Sequence, residues 1–287
     1  AKGLDPDVFL NRFGFQISQA NDFFEEICKI RALRRIWARK CHELGARDPR
    51  SMHVRIHTHT SGAVLTAQQP LNNLIRTTLH AFGAALSGVQ AMEVSTFDEA
   101  LAIPTEHSAT MALRIQQVIQ DESGLTRVAD PLGGSYYVEA LTNQIEAAAL
   151  EIFDEVEKRG GYHKCHDYVR SQIEASAVRW RDQVDAKERL LVGVNKYVSD
   201  EMQDVEVFKV DPESERIAVN RIKALRANRD HARWEAAMAE VHRATERFKA
   251  GVVGELIPAM VEASDADATT GELMAVLKQH LGWRPPH

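Results

Sequence analysis

The segment Met52–Ser61, MHVRIHTHTS, restricts the possible folds of this chain more than any other stretch. Val54, Ile56, Thr58 and Thr60 alternate with polar residues and Gly62 stops the run, which is the pattern of a β-strand. Successive strand side chains point to opposite faces, so these four share one face, and Arg55, His57, His59 and Ser61 share the other. The first face packs on helices. The second presents an arginine and two histidines where the centre of a closed barrel is ordinarily filled by apolar side chains. An arginine buried without a partner is prohibitively costly, so this face must meet an anionic or strongly polar ligand, or water. Pairing with acidic side chains at a solvent-exposed mouth is the alternative left open by the pattern.

Helical periodicity surrounds this strand. Residues 7–45 read as helix, with Phe24, Ile27, Ile30, Leu33 and Trp37 near helical spacing and Gly45 as a stop. Pro70 opens another helix, with Leu71, Leu74, Ile75, Leu79, Phe82 and Leu86 as its buried face. Val89–Ser95 reads as a second strand, with Gln90, Met92 and Val94 on one face and Ala91, Glu93 and Ser95 on the other. A helix over about Ser108–Glu122 follows, then a third strand at Thr126–Ala129 and the turn Asp130–Gly134. Asn143 with Glu146 forms a capping box for the next helix. Strands alternating with amphipathic helices predict an α/β fold with a parallel sheet. Three strands cannot close a barrel of the usual eight, so residues 1–161 are expected to form a partial (β/α)8 TIM barrel. Its exposed sheet edges predict an oligomer.

Residues 162–287 read as a mostly helical extension. It comprises a helix to about Lys187, a buried strand at Leu190–Val198, and charged helices over Pro212–Ala250. A last helix begins near Thr269, with Glu272 completing a second capping box.

A formal charge of -6, with scattered Lys and Arg, argues against a nucleic-acid partner. No apolar run reaches bilayer-spanning length, so no membrane is expected. Cys28, Cys41 and Cys165, an odd set without a CxxC pair, predict reduced thiols and a cytoplasmic location. Ala1–Pro6 lacks a signal-peptide core, and the missing initiator Met points to a processed, trimmed or recombinant start. His57 and His59 could share a metal ion, but no third ligand follows at a recognised spacing, so no metal is expected. Gly133-Gly134 could cradle a phosphate, or form an ordinary turn.

Several motifs, in order along nearly the whole chain, resemble the methylmalonyl-CoA mutase family. They are Arg55–Gly62, Leu65–Pro70, Asn72–Thr77, Phe97–Leu101 with Pro104-Thr105, Glu122–Gly124, Val128–Tyr136, Val192–Tyr197 and Gly271–Leu273. The resemblance implies an isomerase that binds acyl-CoA along a barrel axis lined by small and polar side chains. It implies adenosylcobalamin at the C-terminal end of the barrel, held by a separate cobalamin-binding domain or subunit. Homolysis of the cofactor's cobalt–carbon bond starts a radical 1,2-rearrangement of the carbon skeleton. Carried over, Arg55 and His57 line the channel, with His59, Gln90, Glu93 and Ser95 as further substrate-binding residues. Ser135 and Glu139, next to Gly133 and Gly134, are expected to hold the adenosyl ribose.

The chain departs from the family pattern at two places. The family commonly has Gln at the position of His59, and His-Thr-Asn at Glu93-Val94-Ser95. The expected substrate is therefore not methylmalonyl-CoA itself but a hydroxylated, amino-bearing or otherwise unusual acyl thioester. The family's catalytic Gly-Tyr-His segment and first strands are absent, so this polypeptide alone is expected to be incomplete and inactive, needing a chain or segment that carries the N-terminal half-barrel. A non-catalytic half-barrel partner or assembly subunit of such a mutase is the alternative. An unrelated isomerase or aldolase is disfavoured, because none of the expected strands ends on a Schiff-base lysine.

Overall fold

The computed structural model of the chain describes residues 3–200 and 203–282. The chain divides into two compact units, Ala1–Phe208 and Lys209–His287.

In the first unit, a helical turn α1 (Pro6–Phe9) leads to β1 (Phe15–Gln19) and the long α2 (Phe23–Glu43), which Asp22 caps by accepting from the Glu25 amide at 3.2 Å. A second turn, α3 (Pro49–Met52), precedes β2 (Ile56–Thr60) and α4 (Asn72–Leu86). Then come β3 (Ala91–Glu93), α5 (Glu106–Asp121), α6 (Tyr136–Lys158) and α7 (His166–Asp185). The strands form one parallel sheet in the order β1-β2-β3, and α2 and α4 follow β1 and β2 as βα units. Among the described residues no helix is long and apolar enough to cross a membrane.

Helices cover one sheet face. Ile30 of α2 packs with Val54 and Ile56, flanked by Phe15, Ile17, Leu33 and Trp37. Ala81 of α4 and Ile115 and Ile119 of α5 pack with Val94, flanked by Met92. Helix α2 also packs on α6 through ion pairs, in which the buried Glu146 meets Arg35 at 2.7 Å and Arg39.

The expected single helix over residues 7–45 is corrected to a short helical start, a strand and α2. Gly14 and the alternation Phe15-Gln16-Ile17-Ser18-Gln19 form β1, and the helical spacing from Phe24 to Trp37 belongs to α2 alone. The expected strand at Thr126–Ala129 is instead a 3-10 turn, Leu125–Arg127. Gly124 at φ 71° and Asp130 at φ 46° bend the chain on either side, and Val128 is exposed. The sheet still has the three strands expected, but with a different membership. Strand β2 is also shorter than expected, because Pro49–Met52 is helical. Ser135, not Asn143, is the N-cap of α6, so Asn143 and Glu146 lie inside the helix, where they bind arginines of α2. Leu190–Val198 is no strand: only a Val192–Lys196 bridge forms, and Gly193 at φ 83° and Tyr197 at φ 52° turn the chain.

Behind the sheet, His80 of α4 is buried and its Nε2 lies 2.9 Å from Asn21 Oδ1. Burial, with the nearby Arg76 cation, pushes the imidazole pKa from 6.5 down to about 4. The unfolded imidazole gains a proton below pH 6.5 while the folded one stays neutral to about pH 4. Stability is therefore complete above pH 6.5 and falls between 6.5 and 4. The loss approaches about 3 kcal/mol, at roughly 1.4 kcal/mol per pKa unit. Denaturant titrations at pH 7 and 4.5 check this, and His80→Gln is expected to flatten the dependence.

The second unit packs α9 (His231–Lys249) against α10 (Leu256–Asp265) and α11 (Thr270–Leu281), and includes α8 (Pro212–Asn228). Its core holds Met238, Val241, Ala244, Ala263 and Val276. The expected capping box is present: the Thr269 amide donates to Glu272 at 2.8 Å, and the Glu272 amide donates to Thr269 Oγ1 at 3.4 Å.

Candidate functional site

The sheet face turned away from the helices is polar. Parallel register places Gln16, His57 and Ala91 in one row and Ser18, His59 and Glu93 in the next. Arg55 precedes the first row, and Ser61 and Ser95 follow the second. At the usual strand rise, Arg55 to Ser61 spans about 20 Å. On the opposite face Ile56, Thr58 and Thr60 are fully buried.

Each row has its own chemistry. At the N-terminal ends of the strands, Gly14, Gln16, Arg55, His57, Gln90 and Ala91 border one open pocket. Gln90 is committed to the backbone there, with its Oε1 accepting from the Ile56 amide at 2.7 Å. Towards the C-terminal ends, His59 Nε2 lies 3.0 Å from Ser18 Oγ, and Glu93 is exposed beside it. The other ring nitrogen, His59 Nδ1, is shielded from solvent and has no partner among the described residues. Ser95 joins the ends of β2 and β3, since its amide donates to Thr60 Oγ1 and its hydroxyl to Thr60 O, both at 2.7 Å.

Gly133, Gly134, Ser135 and Glu139 form a separate group. Glu139 Oε1 accepts from Gly134 N at 3.0 Å and from Arg31 Nη2 at 2.5 Å, and Arg31 also bonds Asp130. This turn lies against α2, on the helix-covered side of the sheet. Asp130 borders a cleft there with Arg34, Gly88 and Gln90. Ser135 caps α6 by position without a side-chain hydrogen bond. The structure thus gathers Arg55, His57 and Gln90 at one end of the sheet and His59, Glu93 and Ser95 at the other. It sets the Gly133–Glu139 group apart from both. Among the described residues, no group of three or more His, Cys, Asp or Glu side chains could hold a metal ion.

Comparison with known proteins decides the family. The family model for methylmalonyl-CoA mutase matches residues 1–283. The chain belongs to the methylmalonyl-CoA mutase family. It is 39% identical over 285 residues to methylmalonyl-CoA mutase of Cereibacter sphaeroides, covering 98% of this chain and 40% of that protein. It is also 39% identical over 280 residues to the 2-hydroxyisobutanoyl-CoA mutase large subunit of Aquincola tertiaricarbonis, covering 96% of this chain and 49% of that protein. Identity to methylmalonyl-CoA mutase of Escherichia coli is 37% over 281 residues, 96% of this chain and 38% of that protein. The chain spans between about two-fifths and one half of the length of these relatives.

Three residues of this family member's polar face are not evident from sequence pattern. Gln16 and Ser18 fall within the stretch 7–45 that reads as helix, although Gly14 and strict alternation after it mark a strand. Glu99 lies after β3, and its carboxylate rests over Gly62, where a Cβ would fall 1.9 Å from Oε1. Glycine at position 62 therefore leaves room for the carboxylate at the C-terminal end of the sheet. No local sequence pattern signals this contact, which joins two loops 37 residues apart.

Proposed function

We propose that this chain supplies part of the acyl-CoA channel of an adenosylcobalamin-dependent acyl-CoA mutase, an isomerase acting on a short acyl thioester with a polar acyl substituent. The observation that carries the reading is the polar strip from Arg55 to Ser61, two rows wide across three strands, facing away from every packed helix. A thioester of coenzyme A is long, anionic at its nucleotide end and small at its acyl end. Arg55, His57 and Gln16 suit the anionic end, and the His59–Ser18–Glu93 row suits a polar acyl group.

The C-terminal ends of parallel barrel strands are where such enzymes build their active sites. Gly62, Glu93, Ser95 and Glu99 lie there, and the room that Gly62 leaves for Glu99 fits a polar ligand edge lying across this mouth. Adenosylcobalamin, when bound, supplies the radical that starts the rearrangement. The protein's groups orient the thioester, exclude water and offer hydrogen bonds to the polar acyl substituent. Glu139 Oε1 is held by Arg31 and the Gly134 amide, which fixes the orientation of a partly exposed carboxylate that suits the hydroxyls of the cofactor's ribose.

Similarity does not favour methylmalonyl-CoA, because the relative named for 2-hydroxyisobutanoyl-CoA is equally similar. The natively isolated assembly, given adenosylcobalamin, is expected to isomerise a hydroxylated or amino-bearing acyl-CoA faster than methylmalonyl-CoA. Conversion of methylmalonyl-CoA alone across a panel of thioesters would overturn the substrate assignment. No conversion of any thioester would overturn the function.

A further inference from the structure

The segment Leu190–Val198 carries a motif that the ligand-facing strip leaves unexplained. It is a self-bonded loop. Asn195 Oδ1 accepts from the Leu191 amide at 2.7 Å, and its Nδ2 donates to Val184 O and Arg189 O, each at 2.8 Å. The loop is tied to the start of α4 at two points. Gln69 Nε2 donates to Tyr197 O at 3.0 Å, and Arg76 Nη2 donates to Val192 O at 2.7 Å. A Cβ on Gly193 would lie 3.1 Å from the Gln69 side chain, so glycine permits this close seating.

Arg76 carries the connection inward. Its Nη1 donates to Asn73 Oδ1 at 2.6 Å and to Thr66 Oγ1 at 3.0 Å. Asn73 is fully buried and holds both loops at the C-terminal end of the sheet. Its Oδ1 accepts from Thr66 N at 3.2 Å, and its Nδ2 donates to Thr66 O and Phe97 O, each at 2.9 Å. Thr66 belongs to the loop after β2 that contains Gly62, and Phe97 to the loop after β3 that contains Glu99. Among the described residues no carboxylate pairs with Arg76, so its donors are spent on neutral acceptors that join three segments.

We infer that Arg76 is a positioning residue through which the Leu190–Val198 loop acts as a strap, setting the two loops that bring Gly62 and Glu99 together. A planar guanidinium presents its donors in a fixed, wide fork, whereas a lysine ammonium gathers its three donors at one compact point. The functional sense of the strap rests on the reading of the strand C-terminal ends as the ligand mouth. The coupling itself does not.

Hydrogen exchange on the full chain without ligand tests the coupling separately from the mutase activity. Arg76→Ala is expected to speed exchange at least tenfold in residues 189–198, 62–70 and 95–104 together, with Arg76→Lys failing to restore protection of the last two. Gln69→Ala, which cuts the strap at a half-buried side chain and threatens folding less, is expected to loosen the same three segments to a smaller degree. Faster exchange confined to residues 189–198 in both variants, or full protection in Arg76→Lys, would overturn the inference. In the active assembly, Gln69→Ala is expected to lower kcat for the thioester severalfold with KM within twofold. An unchanged kcat would remove the positioning role.

Discussion

Arg229→Ala is expected to unfold the second unit at temperatures where the native chain keeps it folded. Arg229 is buried, its guanidinium stacks 3.7 Å from the Trp234 ring centroid, and it meets Glu272 in a fork with contacts of 3.0 and 3.1 Å. Glu272 also closes the capping box of α11, so one carboxylate holds the guanidinium and a helix terminus together. Removing one partner of a fully buried pair costs about 3–5 kcal/mol. Here the loss lies towards the lower end, because the half-buried Glu272 keeps Arg226 at 3.4 Å and the Thr269 amide and hydroxyl as partners. That is a large share of the roughly 5–15 kcal/mol that keeps a domain folded. Burial pushes the Glu272 pKa up, but the Arg229 hydrogen bonds and the Thr269 amide and hydroxyl outweigh it and bring the pKa from 4.5 down to about 2. The stabilisation from this pair is thus complete above pH 4.5 and is lost as pH falls towards 2. Hydrogen exchange on α9 and α11 checks both claims. Arg229→Ala should collapse protection there at neutral pH, and Arg229→Met with Glu272→Gln should recover part of it, since glutamine leaves no unpaired charge and keeps the capping box.

The second large effect concerns activity. Glu93→Ala is expected to lower kcat/KM for a hydroxylated or amino-bearing acyl-CoA about a hundredfold or more, and that for a plain branched thioester less than tenfold. A site that hydrogen-bonds a polar substituent discriminates far more strongly than one that only fills space. Glu93 shares a row with His59, whose Nδ1 has no partner among the described residues, so a ligand group that bonds either side chain loses part of a two-point contact. Equal losses for both thioesters would show that Glu93 supports the mouth without recognising the acyl group.

Much of this site is legible in the amino-acid sequence. The alternation in Val54–Ser61 is strict, and a strand with one apolar face and one cationic face has few satisfactory environments, so its orientation follows from burial alone. Residue pairs that meet through a helix terminus are also readable: Thr269 and Glu272 are three apart, and that spacing is the capping box itself. Strand β1 is easily passed over although its alternation is present, because five residues of it sit shortly before twenty-one of helical periodicity, and the longer signal absorbs the shorter. Leu190–Val198 misleads for the opposite reason. Its composition suits a strand, but Asn195 offers the backbone closer partners than a sheet would. Glu139 stands at the start of a helix as expected, and only the fold reveals that α2 delivers Arg31 to it. The contact of Glu99 with Gly62 depends on how two loops meet and has no local signature.

Histidine-directed acylation of the assembled protein tests the central claim most directly. His57 and His59 lie on the proposed channel face, whereas His163 and His166 are exposed around the start of α7, far along the chain from the strands, and serve as internal controls. Modification read residue by residue with mass spectrometry, with and without saturating acyl-CoA, is predicted to show strong protection of His57, weaker protection of His59 and no change at the two controls. Equal modification of His57 and His59 in the presence and absence of the thioester would contradict a channel along this face.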